Sequence, residues 1–505
     1  MEMLKGFPRL LWTLPSQSYN DIDLDTPLIY EDEDSEIQPE VSLPIVNRNK
    51  RLYTALSQTA STIAVFLVPS FFQRKNPLRP QNITETSYLN GVRGLASLLV
   101  YFQHIATEYG DWIHYGYYSR PDDKYFIQLP FIRLLYSGRF MVAIFFVLSG
   151  YVLSYRPLQL SRKHNTGLLF DNLASGLFRR APRLFLPVVP VILITAIFGI
   201  YYGCYGTGRP SDGECNSTEP SLWLQIVGTW NIFVQMLDPF TWSEFYPPGV
   251  PQLWTLPMEF RGSIVVFMLI LALGNVKPPV RLVLLLSAAY ACFHFTRWDT
   301  LLFVCGVILA ELRILRKTSP YTLEKLRKNS TLASTIRLIL AIFWVAILAL
   351  ALFIGSWPAN LACQSPGFQH ICPYTPSQYS TGVAQQYFWI FVAAILLLLS
   401  LENFEPLQQP FVTPLANYFG EISFGLYIVH FPFLQTIGRW VIVTTIRSTG
   451  NPTFGYQEFP RGFFLGGILI TPFIIWLADI HCRLFDVKSV SFARWLSLKC
   501  FLSKE

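Results

Sequence analysis

The stretch Ser87–Gly110, SYLNGVRGLASLLVYFQHIATEYG, decides how the rest of the chain is read. It is as long as a helix that crosses a bilayer, which needs about 20 residues. Yet it carries Arg93 and His104 among its apolar residues. The two are eleven residues apart, about three helical turns, so they share a face and lie roughly 16 Å apart along the axis. An ionisable side chain inside a span is costly and marks function by default. A guanidinium suits a phosphate or a polar amide chain, and a neutral histidine can take a proton from a hydroxyl. The bland alternative has Arg93 snorkelling to the interface and His104 bonding a neighbouring carbonyl, and spacing alone does not separate the two.

Working outward, the chain of 505 residues is 52% hydrophobic and only 14% charged, against about 25% charged in soluble domains. Its apolar residues are gathered into runs near 88–108, 137–155, 184–203, 254–273, 280–294, 299–313, 337–355, 386–401, 419–440 and 463–482. Helices and closed barrels alone satisfy their backbone in hydrocarbon, and runs of this length mean helices. The predicted fold is all-α: a polytopic integral membrane protein with about ten transmembrane helices. Residues 1–56 are expected to form an acidic, largely disordered cytosolic tail. Within it, 16–42 holds nine acids and no Lys or Arg, a composition that does not bury a core. Residues 57–87 are read as an interfacial helix and linker, 88–482 as the membrane domain, and 483–505 as a basic cytosolic tail. The first 50 residues lack the apolar core of a cleavable signal peptide.

Charge sets the orientation, because cytosolic loops are rich in Lys and Arg. Six lie in 156–183, seven in 313–337 and five in 483–505, against one in 204–253 and none in 356–385. The alternation puts both termini in the cytosol, in an endomembrane or the plasma membrane. The formal charge of +7 is thus a topology pattern and does not point to nucleic acid. Cys204 and Cys215 share one expected non-cytosolic loop, and Cys363 and Cys372 share another, where disulfides persist. Cys292, Cys305, Cys482 and Cys500 are expected to be free. Asn216-Ser217-Thr218 is a glycosylation sequon in the first of those loops, whereas the sequons at Asn82 and Asn329 fall on the cytosolic side. No metal-ligand spacing is present.

The remaining intramembrane charges are few. Glu259, in QLWTLPMEF, opens the fourth span at a depth similar to that of His104. It is either an orienting carboxylate for the imidazole or a span-end acid facing water. Arg261 points to another face and is expected to pair with an acid elsewhere. Arg179, Arg180 and Arg183, in FRRAPRLFLP, are either ordinary positive-inside charge on the third span's cytosolic edge or a phosphate-binding patch. Ser149-Gly150 reads as close helix packing. Glu421 sits near a helix start, His430 lines a cavity or bonds between helices, Glu311 is expected to pair with the basic loop after it, and Pro432 is expected to kink the ninth span.

Five blocks in this order, LNGVRGLASLLVYFQH, GRFMVAIFFVLSGYVLS, FRRAPRLFLP, QLWTLPMEF and ISFGLYIVHFP, resemble the type 3 membrane acyltransferase family, in the style of its filamentous fungal branch. The resemblance covers residues 88–482. It implies transfer of an acyl group, often acetyl, from acyl-CoA to a hydroxyl on a glycan or small molecule, with no permanently bound cofactor. It implies His104 as catalytic base, Arg93 as donor-binding, Arg180 and Arg183 as the family's arginine motif, Glu259 as the acid of W-x-L-x-x-E, and His430 as the late histidine. The sequence departs from the bacterial pattern at Asn90, where Asp is usual, and at Thr255, where Ser is usual. The expected partners are acyl-CoA, a small-molecule or glycan acceptor and the bilayer, with a secondary metabolite as the favoured acceptor. A polytopic transporter is the competing class, but it would often show inverted repeats, and none is visible.

Overall fold

The computed structural model describes residues 65–73, 84–109, 111–202, 221–241, 244–318, 331–449 and 461–501. The chain divides into two compact units, 1–84 and 85–505. In the first, residues 65–67 form a helical turn and Ser70–Phe72 a 3-10 turn. The Gln73 amide closes this segment by donating to the Val65 and Val68 carbonyls at 3.1 and 2.7 Å. Most of the expected interfacial helix before Val65, the linker over 74–83 and the sequon at Asn82 lie outside the described residues.

The second unit is a helical bundle. Its main helices are α1 (Ser87–Tyr109), α2 (Gly138–Arg162), α3 (Thr166–Phe185), α4 (Val189–Tyr202) and α5 (Leu222–Met236). Then come α6 (Thr255–Leu273), α7 (Pro278–His294), α8 (Trp298–Thr318), α9 (Thr331–Gly355) and α10 (Gly382–Asn403). The last are α11 (Pro414–Phe433), α12 (Arg439–Ser448), α13 (Arg461–His481) and α14 (Val487–Cys500). Among the described residues there is no strand, only an isolated bridge between Tyr115 and Asn360. Local chemistry sets several starts. Asn165 accepts from the Leu168 N–H at 3.1 Å to cap α3, Ser221 caps α5 through Leu224, and Thr413 caps α11 ahead of Pro414, where a missing N–H is harmless.

Among the described residues, seven helical segments are long and apolar enough to cross a membrane: Gly138–Arg162, Thr166–Ile197, Pro251–Leu273, Ser334–Gly355, Gly382–Asn403, Pro414–Ser448 and Arg461–Cys500. The other three expected spans are helical too, as α1, α7 and α8, but fall outside that set. The reason is charge and length. Helix α8 carries Asp299, Glu311, Arg313, Arg316 and Lys317, α1 carries Arg93 and His104, and α7 has 17 residues.

Helix α1 packs against α2 and α11, and α2 packs in turn on α6, α8 and α10. Glycine permits the closest approaches. A Cβ on Gly94 would lie 2.4 Å from the Gly420 nitrogen, and one on Gly150 would lie 2.1 Å from the Phe303 carbonyl oxygen. The small pair Ser149-Gly150 thus marks close packing of α2 on α8, as its composition suggests.

Three stretches differ from the sequence reading. The third span's apolar part lies near 184–203 as expected, in α4, but the helix leading into it begins at Thr166 and carries Arg180 and, in its last turn, Arg183. Helix α3 runs antiparallel to α6: Leu169 meets Gly274, Gly176 meets Phe267, and Arg180 meets Glu259. Arg180 meets a buried acid and so does not have to snorkel. Residues 204–253, read as a loop, include α5. Residues 483–500 continue the last helix through a π turn (Cys482–Asp486) into α14, which packs on α3. A second π turn, Leu434–Gly438, follows Pro432 at the end of α11. Cys363 and Cys372 are joined by a disulfide in the segment between α9 and α10, and Cys292, Cys305, Cys482 and Cys500 are free. Cys204, Cys215 and Asn216 lie outside the described residues.

Candidate active site

Helix α1 brings His104 against α11. Its ring centroid lies 5.0 Å from that of His430 and 5.5 Å from that of Phe431. His430 is 1% exposed, and its Nδ1 lies 2.9 Å from the Leu426 carbonyl oxygen. A carbonyl only accepts, so Nδ1 donates and Nε2 keeps its lone pair. That Nε2 is buried without a hydrogen-bond partner. Tyr101, one turn before His104, is tied at 3.2 Å to Thr471 of α13, which holds this end of α1.

Three turns away on α1, Arg93 donates to the Asn90 side-chain oxygen at 2.6 Å and to the Gly420 carbonyl at 2.7 Å. Asn90 donates in turn to Glu421 at 2.8 Å. Arg93 therefore does not snorkel; it is fixed to α11 through a polar network. Asn90, where the bacterial pattern has Asp, supplies both an acceptor for Arg93 and a donor for Glu421, which a carboxylate there would not do.

Glu259 opens inward from α6. Its carboxylate accepts from Arg180 and, at 2.5 Å, from Ser149. Arg180 also donates to Ser263 at 2.7 Å. Arg183 lies within electrostatic reach of Asp486 and Glu259, and Asp486 also faces Arg93. The sequence-predicted residues thus form two groups: the His104–His430 pair, and a charged cluster of Arg93, Arg180, Arg183 and Glu259 linked through Asp486. The expected support of His104 by Glu259 is not a hydrogen bond in this structure: Glu259 is engaged by Arg180 and Ser149. Sequence spacing could not reveal this, because depth along a span does not say which neighbour a carboxylate faces.

Asp486 and Ser149 are members that sequence reasoning missed or took for packing, and Glu421, expected near a helix start, joins them through Asn90. Asp486 fell in a stretch read as a tail, and its one signal was an acid among basic residues. Two other readings resolve. Arg261 pairs with Asp299 at 2.5 Å, an acid elsewhere as expected. Glu311 pairs with Arg162 at 2.7 Å and Arg281 at 3.1 Å, not with the basic loop that follows it, because both of those arginines reach it inside the bundle. Among the described residues no group of three or more His, Cys, Asp or Glu is arranged to hold a metal ion.

A helical bundle of apolar spans with paired charges and two facing histidines at its centre defines a polytopic membrane protein with a buried polar site. Residues 86–479 match the family described as the acyltransferase domain of type 3. The chain belongs to this acyltransferase family and is an integral membrane protein. It is 30% identical over 467 residues to the O-acetyltransferase PaAT-1 of Phomopsis amygdali, covering 87% of this chain and 89% of that one. It is 23% identical to the acyltransferase clz18 of Cochliobolus lunatus (81% and 94% covered) and 24% identical to the acyltransferase R4 of a Phoma species (77% and 89% covered). No solved structure matches.

Proposed function

We propose that the protein is a membrane-bound O-acyltransferase that moves an acetyl group from acetyl-CoA to a hydroxyl of a small lipophilic molecule, such as a secondary metabolite. The observation that carries this reading is the His104–His430 pair, 5.0 Å apart with His430 Nε2 buried and unpartnered. A buried acceptor without a partner costs about 1–3 kcal/mol, and a donor on the substrate other than the hydroxyl proton that His104 takes would satisfy it. The name of the relative from Phomopsis amygdali, an O-acetyltransferase, supports acetyl as the group transferred.

In this mechanism His104 takes the proton of the acceptor hydroxyl. The oxygen attacks the thioester carbonyl, the new C–O bond forms, and the C–S bond breaks. Coenzyme A leaves as a thiolate and receives the proton from His104. Acyl-CoA enters from the cytosol, on the side where both chain termini lie. Arg93, Arg180 and Arg183 favour its phosphates and amides, and Glu259 sets the position of Arg180. Glu259 acts through Arg180 and Ser149 and is a positioning residue.

The test is radiolabelled acetyl transfer in membranes containing the wild type or His104→Ala, with extracted lipophilic metabolites as acceptors. A general base contributes about 10²–10⁴ in rate, so the variant should lose label by that factor at equal expression. Wild-type activity in His104→Ala overturns the mechanism.

A further inference from the structure

Most arginines held inside the bundle meet a carboxylate: Arg162 and Arg281 meet Glu311, Arg180 meets Glu259, Arg261 meets Asp299, Arg313 meets Glu402, and Arg483 meets Asp479. Arg133 and Arg139 differ. Arg133 is 3% exposed. It donates to the backbone carbonyls of Ser356 and, at 2.9 Å, Ile113, and its Nε is buried without a partner. Arg139 donates to the Gln386 side-chain oxygen at 2.5 Å and lies 5.5 Å from the centre of the Tyr387 ring. Among the described residues neither makes an ion pair with a carboxylate.

Both arginines line one cavity of about 90 Å³, together with Gln103, Tyr136, Trp357 and Gln386. Gln103 immediately precedes His104 on α1, so this cavity lies next to the histidine in sequence. Its walls come from the segment before α2 and from the turn after α9, and no acid is among its lining residues. Buried charge without a partner is costly, and a guanidinium is shaped to hold a carboxylate. Arg139 spends one of its five N–H donors on Gln386, so donors remain for a ligand.

We propose that this cavity receives a carboxylate carried by the hydroxyl-bearing acceptor, with Arg133 and Arg139 as its anchors. The proposal rests on the acyl-transfer reading above and names the acceptor class: a lipophilic hydroxy acid, bound so that its hydroxyl is offered to His104.

The experiment uses membranes with wild type, Arg139→Gln, Arg139→Lys or His104→Ala, labelled acetyl-CoA, and an organic extract of the native host. Half of the extract is treated with a diazomethane reagent, which esterifies carboxyl groups and leaves alcohols free. Arg133 is bonded into the backbone and its loss risks folding, so Arg139 carries the test. The expected result is at least a tenfold loss of wild-type label on esterification. Arg139→Gln should raise the extract concentration for half-saturation about tenfold, the weight of one hydrogen bond to a charged group, more than it lowers the maximal rate. Arg139→Lys should recover part of that loss. Equal labelling of treated and untreated extract, or unchanged half-saturation in Arg139→Gln, overturns the carboxylate assignment and leaves acyl transfer standing. Absence of any His104-dependent label from both extracts overturns the acyl-transfer reading and this proposal with it.

Discussion

His104 and His430 face one another across the contact between α1 and α11, their ring centroids 5.0 Å apart and their planes inclined at 41°. The two rings have unequal surroundings. His430 is locked by its bond to Leu426, with Nε2 left as an acceptor. Among the described residues His104 makes no hydrogen bond, so its ring keeps both nitrogens for substrate. In the proposed mechanism this asymmetry favours His104 for the proton transfer and an orienting role for His430. His430→Phe, which keeps an aromatic ring but removes the acceptor, should lower the rate of acetyl transfer about tenfold, the weight of one hydrogen bond. His104→Ala should lower it by about 10²–10⁴. The double variant should be no slower than His104→Ala alone, because both act on one step. Initial rates at matched expression decide this, and a His430→Phe loss as large as that of His104→Ala would reverse the assignment.

The distance between the two rings depends on how closely their helices approach. A Cβ at Gly94 would lie 2.4 Å from the Gly420 nitrogen and 2.6 Å from the Phe419 carbonyl carbon. Backbone cannot rotate out of the way, so Gly94→Ala should push α1 off α11. Overpacking of this kind costs about 1–3 kcal/mol. The same shift would strain the bond from Arg93 to the Gly420 carbonyl. Activity should therefore fall by more than tenfold while the protein is still produced. Gly228→Ala is the control, because its Cβ would meet nothing within 4 Å. Equal activity in the two variants would show that this approach does not govern the site.

Much of this bundle was legible in the sequence. Helix α2 lies where an uninterrupted apolar run placed it, and α1 where Arg93 and His104 share a face. What was hidden has a common cause: charge was read as a membrane boundary. Arg180 and Arg183 signalled an interface, and they lie toward the end of α3, beside Glu259 and Asp486. Arg483 and Asp486 looked like the start of a tail but are buried in a π turn. Hydropathy scores a charge as if it faced lipid or water, and it does not register a charge that faces another charge across a helix contact. Helix α5 was missed for a different reason. At 15 residues it is too short to count as a span, and the loop around it has the composition of an exposed segment.

The segment between α1 and α2 offers a pH test outside the membrane helices. Asp123 is 1% exposed. Burial alone would raise its carboxyl, but donors from Arg120 at 2.8 Å, Gln128 at 3.0 Å and Ser119 at 3.0 Å outweigh it, so the carboxyl is held below the usual carboxylate range. A carboxylate lowered on folding stabilises the fold above its unfolded pKa of about 4, and that contribution is lost as pH falls through the lower folded value. Asp123→Asn should cost about 1–3 kcal/mol at neutral pH and should flatten the acid limb of the stability profile below about pH 4. Thermal unfolding in detergent from pH 3 to 7 measures both. An acid limb identical in variant and wild type would remove Asp123 from this role.

The pair Arg180–Glu259 separates structure from chemistry. Both side chains are largely buried, with exposures of 9% and 14%, and removing one partner of a buried pair leaves the other charge uncompensated at a cost of about 3–5 kcal/mol. Arg180→Gln and Glu259→Gln should each lower the unfolding midpoint. The double variant, with no charge left to strand, should be more stable than the sum of the two losses allows. Double-mutant cycles report such coupling directly. Activity should behave differently. If Arg180 holds the phosphates or amides of the donor, restoring stability in the double variant will not restore the half-saturating level of acetyl-CoA, which should stay about tenfold above wild type. Recovery of that level together with stability would make the pair a structural clamp and leave Arg93 and Arg183 to meet the donor.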